Sequence, residues 1–420
     1  LSYMGQSWSK PNLGYVNWGG KRTLVMFVGG GYDAGYESDT YNQTDSKKGA
    51  GVFMFRVEDE TGGGTGKAGD LLWWANANAT NGLTGNRVGT NDANLKYSVV
   101  SEIRTVDRDG DDLIDHLYFG DLGGQLFRID LNNKAATIGD FAKRVQRIID
   151  LNTAAAVDKR PRFYDMPAFS LYSENGSTFA VVSIGSGNRS SPLKDYATGT
   201  TGYDHDAIYN VYDKDVARKD LYNTLPTTGA TALKTSSVTK AEMGEVTNSN
   251  RNSQTTLVAP YSGKGWYYKF QSSKLQSEKV FGTPLALNYQ LYASTFDGSK
   301  DGISGDCGAG VKGESFLNRF CMPYGQCKTE NAGSNAANCV GTKCDKISLG
   351  AGIHTAVVRG DDTPPTTPNP NDPKVKNDGT SAGNYCLSTG GRTAYTPLGG
   401  GSGEQTQICL IPQRWYERLQ

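Results

Sequence analysis

No cysteine occurs before Cys307, and only three histidines, His116, His205 and His354, occur in the 420 residues. The seven cysteines do not form paired Cys-x-x-Cys knuckles, which sets structural zinc aside. Gly185-Ser186-Gly187 lacks the Gly-x-Ser-x-Gly spacing of a nucleophile elbow, and no paired histidine presents itself. No apolar run is long enough to span a bilayer. Net charge is missing as well: 43 basic and 43 acidic residues cancel. The chain therefore has no general field for nucleic acid or an anionic membrane surface. Helical periodicity is scarce throughout.

What the chain has in quantity is glycine, with 53 residues, and tyrosine, with 23. Short alternating apolar runs between Gly- and Asn-rich turns point to an all-β protein. The organising stretch is Asp107-Arg108-Asp109-Gly110-Asp111-Asp112-Leu113-Ile114-Asp115. Carboxylates occupy its positions 1, 3, 5 and 9, and Leu113 at position 7 offers a backbone carbonyl. That is the ligand spacing of a Ca²⁺ loop, which gathers six to eight oxygens from one short segment. The glycine at position 4 and Tyr118 at position 12 exclude an EF-hand. The competing reading is an acidic turn whose side chains bond their own backbone. After the loop come two alternating runs, Leu117 to Gly120 and Gln125 to Leu131, joined by Asp121-Leu122-Gly123-Gly124. Phe127, Ile129 and Leu131 share one face of the second run, and Leu126, Arg128 and Asp130 the other. A calcium loop leading into a hairpin fits a propeller-blade connection.

Elsewhere the pattern predicts strands at Tyr15 to Asn17, Thr23 to Val28, Val52 to Val57, Leu71 to Trp74, Arg162 to Tyr164, Phe179 to Ile184 and Ala207 to Tyr212. More follow within Thr256 to Phe270, Lys279 to Leu285, Leu291 to Phe296, His354 to Val358 and Arg414 to Tyr416. Ala75 to Thr90 reads as a polar loop and Phe141 to Leu151 as a helix. Gly29-Gly30-Gly31-Tyr32-Asp33 opens no apolar helix, so its glycines serve tight strand turns rather than a phosphate. Three insertions are expected, at 217–254 with one helix, at 301–346 (cysteine-rich) and at 361–407 (Pro/Gly-rich). The cysteines read as disulfides of an oxidising compartment, with Cys386 and Cys409 as a long-range pair. The others pair locally in a connectivity left open, and one of the seven is left over or pairs outside the chain.

Ser7-Trp8-Ser9-Lys10-Pro11, Val28 to Asp33, Val106 to Asp130, Ile184 to Arg189, Gly265-Trp266-Tyr267 and the ending Arg414-Trp415-Tyr416-Glu417 resemble, in order, the C-terminal domain of the PilY/PilC family of type IV pilus-tip proteins. The resemblance implies a modified seven-bladed β-propeller with loop insertions and one calcium-binding loop. Residues 1–420 would be the C-terminal propeller of a larger protein whose targeting signal lies upstream. Its Ca²⁺ ligands would be Asp107, Asp109, Asp111, the carbonyl of Leu113, and Asp115. It implies a non-enzymatic module supporting pilus assembly, calcium-dependent control of extension and retraction, adhesion and twitching motility. The location implied is the cell surface, reached through the periplasm and associated with the outer membrane. The partners implied are minor pilins and a host or abiotic surface ligand, with no integral membrane segment.

Two other classes compete. A quinoprotein-like propeller enzyme would also combine Gly-rich aromatic blades with calcium, but no residue here stands in a recognisable catalytic setting, and a quinone absorbance band would separate the two. A receptor-binding adhesin is suggested by the integrin-type tripeptide Arg359-Gly360-Asp361 before a flexible stretch. DNA capture finds no support in the charge balance, apart from local patches such as Lys47-Lys48 or Lys159 with Arg160 and Arg162.

Overall fold

A computed structural model describes residues 2–355 apart from 39–40, 44–47, 86, 153–158, 175, 227, 252–262, 288, 303–311 and 328–344, with the backbone of four two-residue strands beyond. Its helix is limited to short 3-10 turns such as Ala34–Glu37, Ile138–Asp140 and Lys240–Glu242. The chain is all-β, and its strands fall into four larger sheets, none closed on itself.

Sheet one holds β1 (Asn12–Trp18), β2 (Lys21–Gly29), β3 (Val52–Arg56), β4 (Leu71–Asn76), β5 (Gly82–Thr84) and β6 (Arg87–Asn91), in the order β1-β2-β3-β4-β6-β5. Sheet two is an antiparallel meander of β7 (Arg104–Val106), β8 (His116–Gly120), β9 (Gln125–Leu131) and β10 (Ala142–Asp150). Sheet three runs β11 (Ala168–Glu174), β12 (Ser177–Gly185) and β13 (Ala207–Asp213), then β15 (Gly265–Lys269), with β14 (Gly244–Val246) parallel to β15. Sheet four comprises β16 (Glu278–Val280), β17 (Leu285–Leu287), β18 (Gln290–Asp297), β19 (Glu314–Cys321) and β20 (Lys346–Ala351). Two ribbons pair β21 (Tyr385–Cys386) with β24 (Cys409–Leu410) and β22 (Arg392–Thr393) with β23 (Gln405–Thr406).

Side-chain alternation explains how these sheets stack. In β8, Leu117 and Phe119 enter a core shared with sheet one, while Tyr118 enters a core shared with sheet three. In β12, Ala180, Val182 and Ile184 face sheet two, while Phe179 and Val181 face sheet four. The sheets therefore pack face to face in series, and the two inner ones are buried on both faces. Each fully buried aliphatic or aromatic side chain contributes about 1.5–3 kcal/mol by leaving water. The glycine run after β2 is a close approach: a Cβ on Gly30 would lie 2.4 Å from the Gly49 carbonyl oxygen, and Gly31 has φ +101°. No larger residue fits there.

Several sequence expectations are corrected. Stretch 141–151 is a strand, β10, not a helix. Register shifts between Ala142 and Arg144 and between Arg147 and Ile149 break its two-residue alternation. Phe141, Val145, Ile148 and Ile149 then mimic helical spacing. The polar stretch 75–90 carries the edge strand β5 and most of β6, which lies between β4 and β5. Within 217–254 there is a 3-10 turn and the added strand β14. The cysteine-rich 301–346 contains β19, a buried strand of sheet four. His354 and Thr355 lie in no strand, and 356–358, Arg359-Gly360-Asp361 and 414–416 lie outside the described residues. Cys321 and Cys327 form a disulfide with Cα atoms 5.0 Å apart. The backbone register sets Cys386 opposite Cys409.

The turn between β8 and β9 carries a buried titratable group. Burial pushes the Asp121 carboxyl up to about 7. It does so against hydrogen bonds from the Gly123 and Gln125 N–H groups, both 2.9 Å, and from Gln125 Nε2 at 2.8 Å. The folded value lies above the ordinary carboxylate one, so the native chain holds about one proton more than the unfolded chain between roughly pH 4 and 7. This group's contribution to stability is therefore greatest in mild acid and falls as pH rises through that window. Urea midpoints from pH 5 to 8 should show that decline, and Asp121→Asn should remove its share; parallel profiles would refute the assignment.

Candidate metal loop

The β7–β8 connection, residues 107–115, winds around its own carboxylates. Asp107 accepts from the N–H groups of Gly110 (2.7 Å) and Asp112 (2.9 Å), and Asp111 accepts from that of Leu113 (3.0 Å). Asp115 accepts from the Arg108 N–H at 2.9 Å. Gly110 and Asp112 both take positive φ, 74° and 63°, which tightens the coil. The second half of the loop is fastened to the edge of sheet one. Leu113 bridges Tyr15 in parallel, and Ile114 donates its N–H to the Tyr15 carbonyl at 2.8 Å. Asn133 Nδ2 donates to Asp115 Oδ1 (3.1 Å) and to the Ile114 carbonyl (3.0 Å). Asn133 Oδ1 in turn accepts the Asn17 N–H at 2.9 Å. The loop thus joins sheet one to sheet two.

Of the five residues named from the sequence, three converge. Asp107, Asp109 and Asp115 each offer an oxygen, and these lie within 4.8 Å of one another. Oxygens bound to one Ca²⁺ at 2.3–2.6 Å sit no more than about 5 Å apart, so this donor set fits such an ion. Asp111 is exposed and outside the triad; the backbone of Leu113 packs against β1. Asp109 Oδ1 is buried without a hydrogen-bond partner among the described residues, while its Oδ2 lies 3.6 Å from Lys134 Nζ. Burial raises the Asp115 carboxyl. That of Asp111 is raised too, by partial desolvation and by the charges of Asp109 and Asp107. A cavity of about 220 Å³ beside them, lined in part by Asn133 and Tyr222, leaves room for waters to complete a coordination shell.

Immediately behind the loop is a buried ionic network that the sequence reading did not anticipate. Arg128 lies fully buried between sheets two and three. Its Nε donates to Asp130 Oδ1 at 2.8 Å and its Nη1 to both Asp213 oxygens at 2.7 Å. Arg144 Nη1 reaches Asp130 at 3.0 Å, and Tyr118 donates to Asp213 at 3.0 Å. His116, next to Asp115, bonds Asp130 through Nδ1 at 2.9 Å, and its Nε2 has no partner among the described residues. Burial opposes ionisation of Asp130, but Arg128 and His116 outweigh it and hold the carboxyl well below the usual range. The available signal was that Arg128 and Asp130 share a strand face with apolar Leu126.

Serially stacked, largely antiparallel sheets with an acidic loop fastening two of them define the class of this all-β protein. The fold is similar to that of the C-terminal domain of Pseudomonas aeruginosa PilY1, with a TM-score of 0.51 at 14% identity over 86% of this chain and 70% of that one. No protein-family model and no curated protein sequence matches the chain. Among the described residues no helix is long and apolar enough to cross a membrane.

Proposed function

We propose that the chain is the calcium-binding propeller domain of a type IV pilus-tip protein of the PilY/PilC kind, acting without catalysis. The observation that carries this reading is the convergence of Asp107, Asp109 and Asp115 on a fold shared with the PilY1 C-terminal domain. The four larger sheets are blades of that propeller, further blades making up seven. Asp111 and the Leu113 carbonyl complete the ligand set when the ion draws the loop closed. The domain sits at the cell surface on a pilus tip, meets minor pilins on one side, and presents a surface-binding face on the other.

An ion that binds only the closed loop stabilises it by RT ln(1 + [L]/Kd). With Kd of roughly 10⁻⁴ to 10⁻³ M, typical of extracellular modules, millimolar calcium contributes about 1 kcal/mol. That shifts a loop between two states without holding the fold together, as a regulator of extension and retraction requires. Calorimetric titration of Ca²⁺ into chelator-treated protein is expected to show one site. Asp109→Asn and Asp115→Asn should abolish it, and Asp112→Asn, whose side chain points into solvent, should retain it. No heat in the parent would reduce the loop to an acidic turn. Binding that survives both ligand substitutions would place the ion elsewhere.

A further inference from the structure

At one end of sheet one lies a cleft whose lining includes none of the loop residues 107–115. The β1–β2 turn, the β3–β4 loop and the β5–β6 turn enclose a cleft of about 790 Å³, within the ~300–1,000 Å³ usual for small-molecule sites. One wall is apolar, with Trp18, Leu71 and Leu83; Leu83 is 56% exposed on the edge strand β5. The opposing chemistry is cationic. Arg56 lines the cleft at 8% exposure, and its Nε has no hydrogen-bond partner among the described residues. Its nearby carboxylate, Glu60, is 4.0 Å from Nη2 and is already engaged by Lys21 Nζ at 2.5 Å and the Gly66 N–H at 3.2 Å. Arg87, exposed on the same lining, has no ion pair among the described residues.

A buried guanidinium with an unpartnered donor favours an acceptor brought against it, and its planar fork matches a carboxylate. Glu60 and Asp70 also line the cleft. Their charge disfavours a doubly charged group such as phosphate and favours a single negative charge. We propose that this cleft binds a monocarboxylate bearing an adjacent apolar branch, its carboxylate on Arg56 and Arg87 and its branch against Leu71 and Leu83. The same chemistry is offered by a free amphiphilic acid and by the C-terminal residue of a peptide.

Calorimetric titration with N-acetyl-L-leucine, beside its amide, tests this on the whole chain. The acid should saturate in the millimolar range and bind about tenfold or more tightly than the amide, the usual size of a lost charge-assisted hydrogen bond. Arg87→Ala and Leu83→Asp change exposed positions and should leave the circular dichroism spectrum intact while weakening binding about tenfold. Gly66→Ala, whose added Cβ would lie 2.7 Å from Arg56 Nε, should weaken it as well. Acetyl-Ala-Ala-Leu binding more tightly than N-acetyl-leucine supports the site with a peptide terminus as its ligand; equal affinity supports it with a free acid. Equal affinity of acid and amide, no saturation by about 10 mM, or parental binding in the folded variants would overturn the proposal.

Discussion

Replacing Arg128 by methionine should cost the chain about 3–5 kcal/mol of stability, read as a lowered urea midpoint with an unchanged slope. The guanidinium is fully buried and bonds carboxylates from two different sheets, Asp130 on β9 and Asp213 on β13. Methionine fills much of the volume but removes the cation. Asp130 would keep Arg144 and His116. Among the described residues Asp213 would keep only neutral donors: the Tyr118 hydroxyl and the N–H groups of Asp215 and Val216. An unpaired carboxylate in that environment is the costly outcome, not the loss of the pair itself. The double variant Arg128→Met with Asp213→Leu should therefore recover part of the loss. The network also has an acid signature. The depressed folded value of Asp130 gives stability that is present above the ordinary carboxylate range and is lost as pH falls below it. A loss under about 1 kcal/mol for Arg128→Met would mean that water reaches Asp213 and that the inter-sheet charges are solvated.

This network marks where sequence reasoning stopped. Period-two patterning made the β8–β9 hairpin legible, and the two faces it assigned on β9 are the two faces observed. It could not reveal that the face carrying Arg128 and Asp130 is covered. A second sheet arrives from β12 and β13, about fifty to ninety residues later, and no local pattern encodes that contact. The helix expected at 141–151 failed for a different reason: two bulges shifted the alternation of β10 until its apolar spacing imitated a helix. Strand β19 was hidden by its cysteine-rich surroundings, where composition suggested loop although Phe316 and Phe320 alternate correctly. The acidic loop was legible as a spacing: three of its four alternate carboxylates, Asp107, Asp109 and Asp115, converge within one short segment, while Asp111 does not join them. Its fastening to β1 was not. Tyr15 and Asn17 come from β1 and Asn133 from the segment after β9, and only the stacking of sheet one on sheet two brings them to Asp115 and Ile114.

That stacking rests on Trp73, and Trp73→Ala should destabilise the chain by about 3–5 kcal/mol. The residue is fully buried on β4, in the core that sheets one and two share. Its ring meets Phe141 edge-on at 6.1 Å, and Phe141 meets Trp18 at 5.1 Å, so one aromatic from the end of sheet two is clasped by two from sheet one. Trp73 Nε1 donates to Thr90 Oγ1 at 2.9 Å, which also ties β4 to β6. Alanine removes the apolar area, the hydrogen bond and the aromatic contact together, and leaves a cavity that the two packed sheets can close only partly. Trp73→Phe keeps an aromatic ring and should cost clearly less than alanine, whereas Trp8→Ala, at a residue 47% exposed whose ring stacks on Tyr32 at 4.3 Å, should cost only about 1 kcal/mol. Equilibrium urea unfolding of the three variants orders them. If Trp73→Ala fell as little as Trp8→Ala, the two sheets would not share a core, and the loop spanning them would have no rigid frame on which an ion could act.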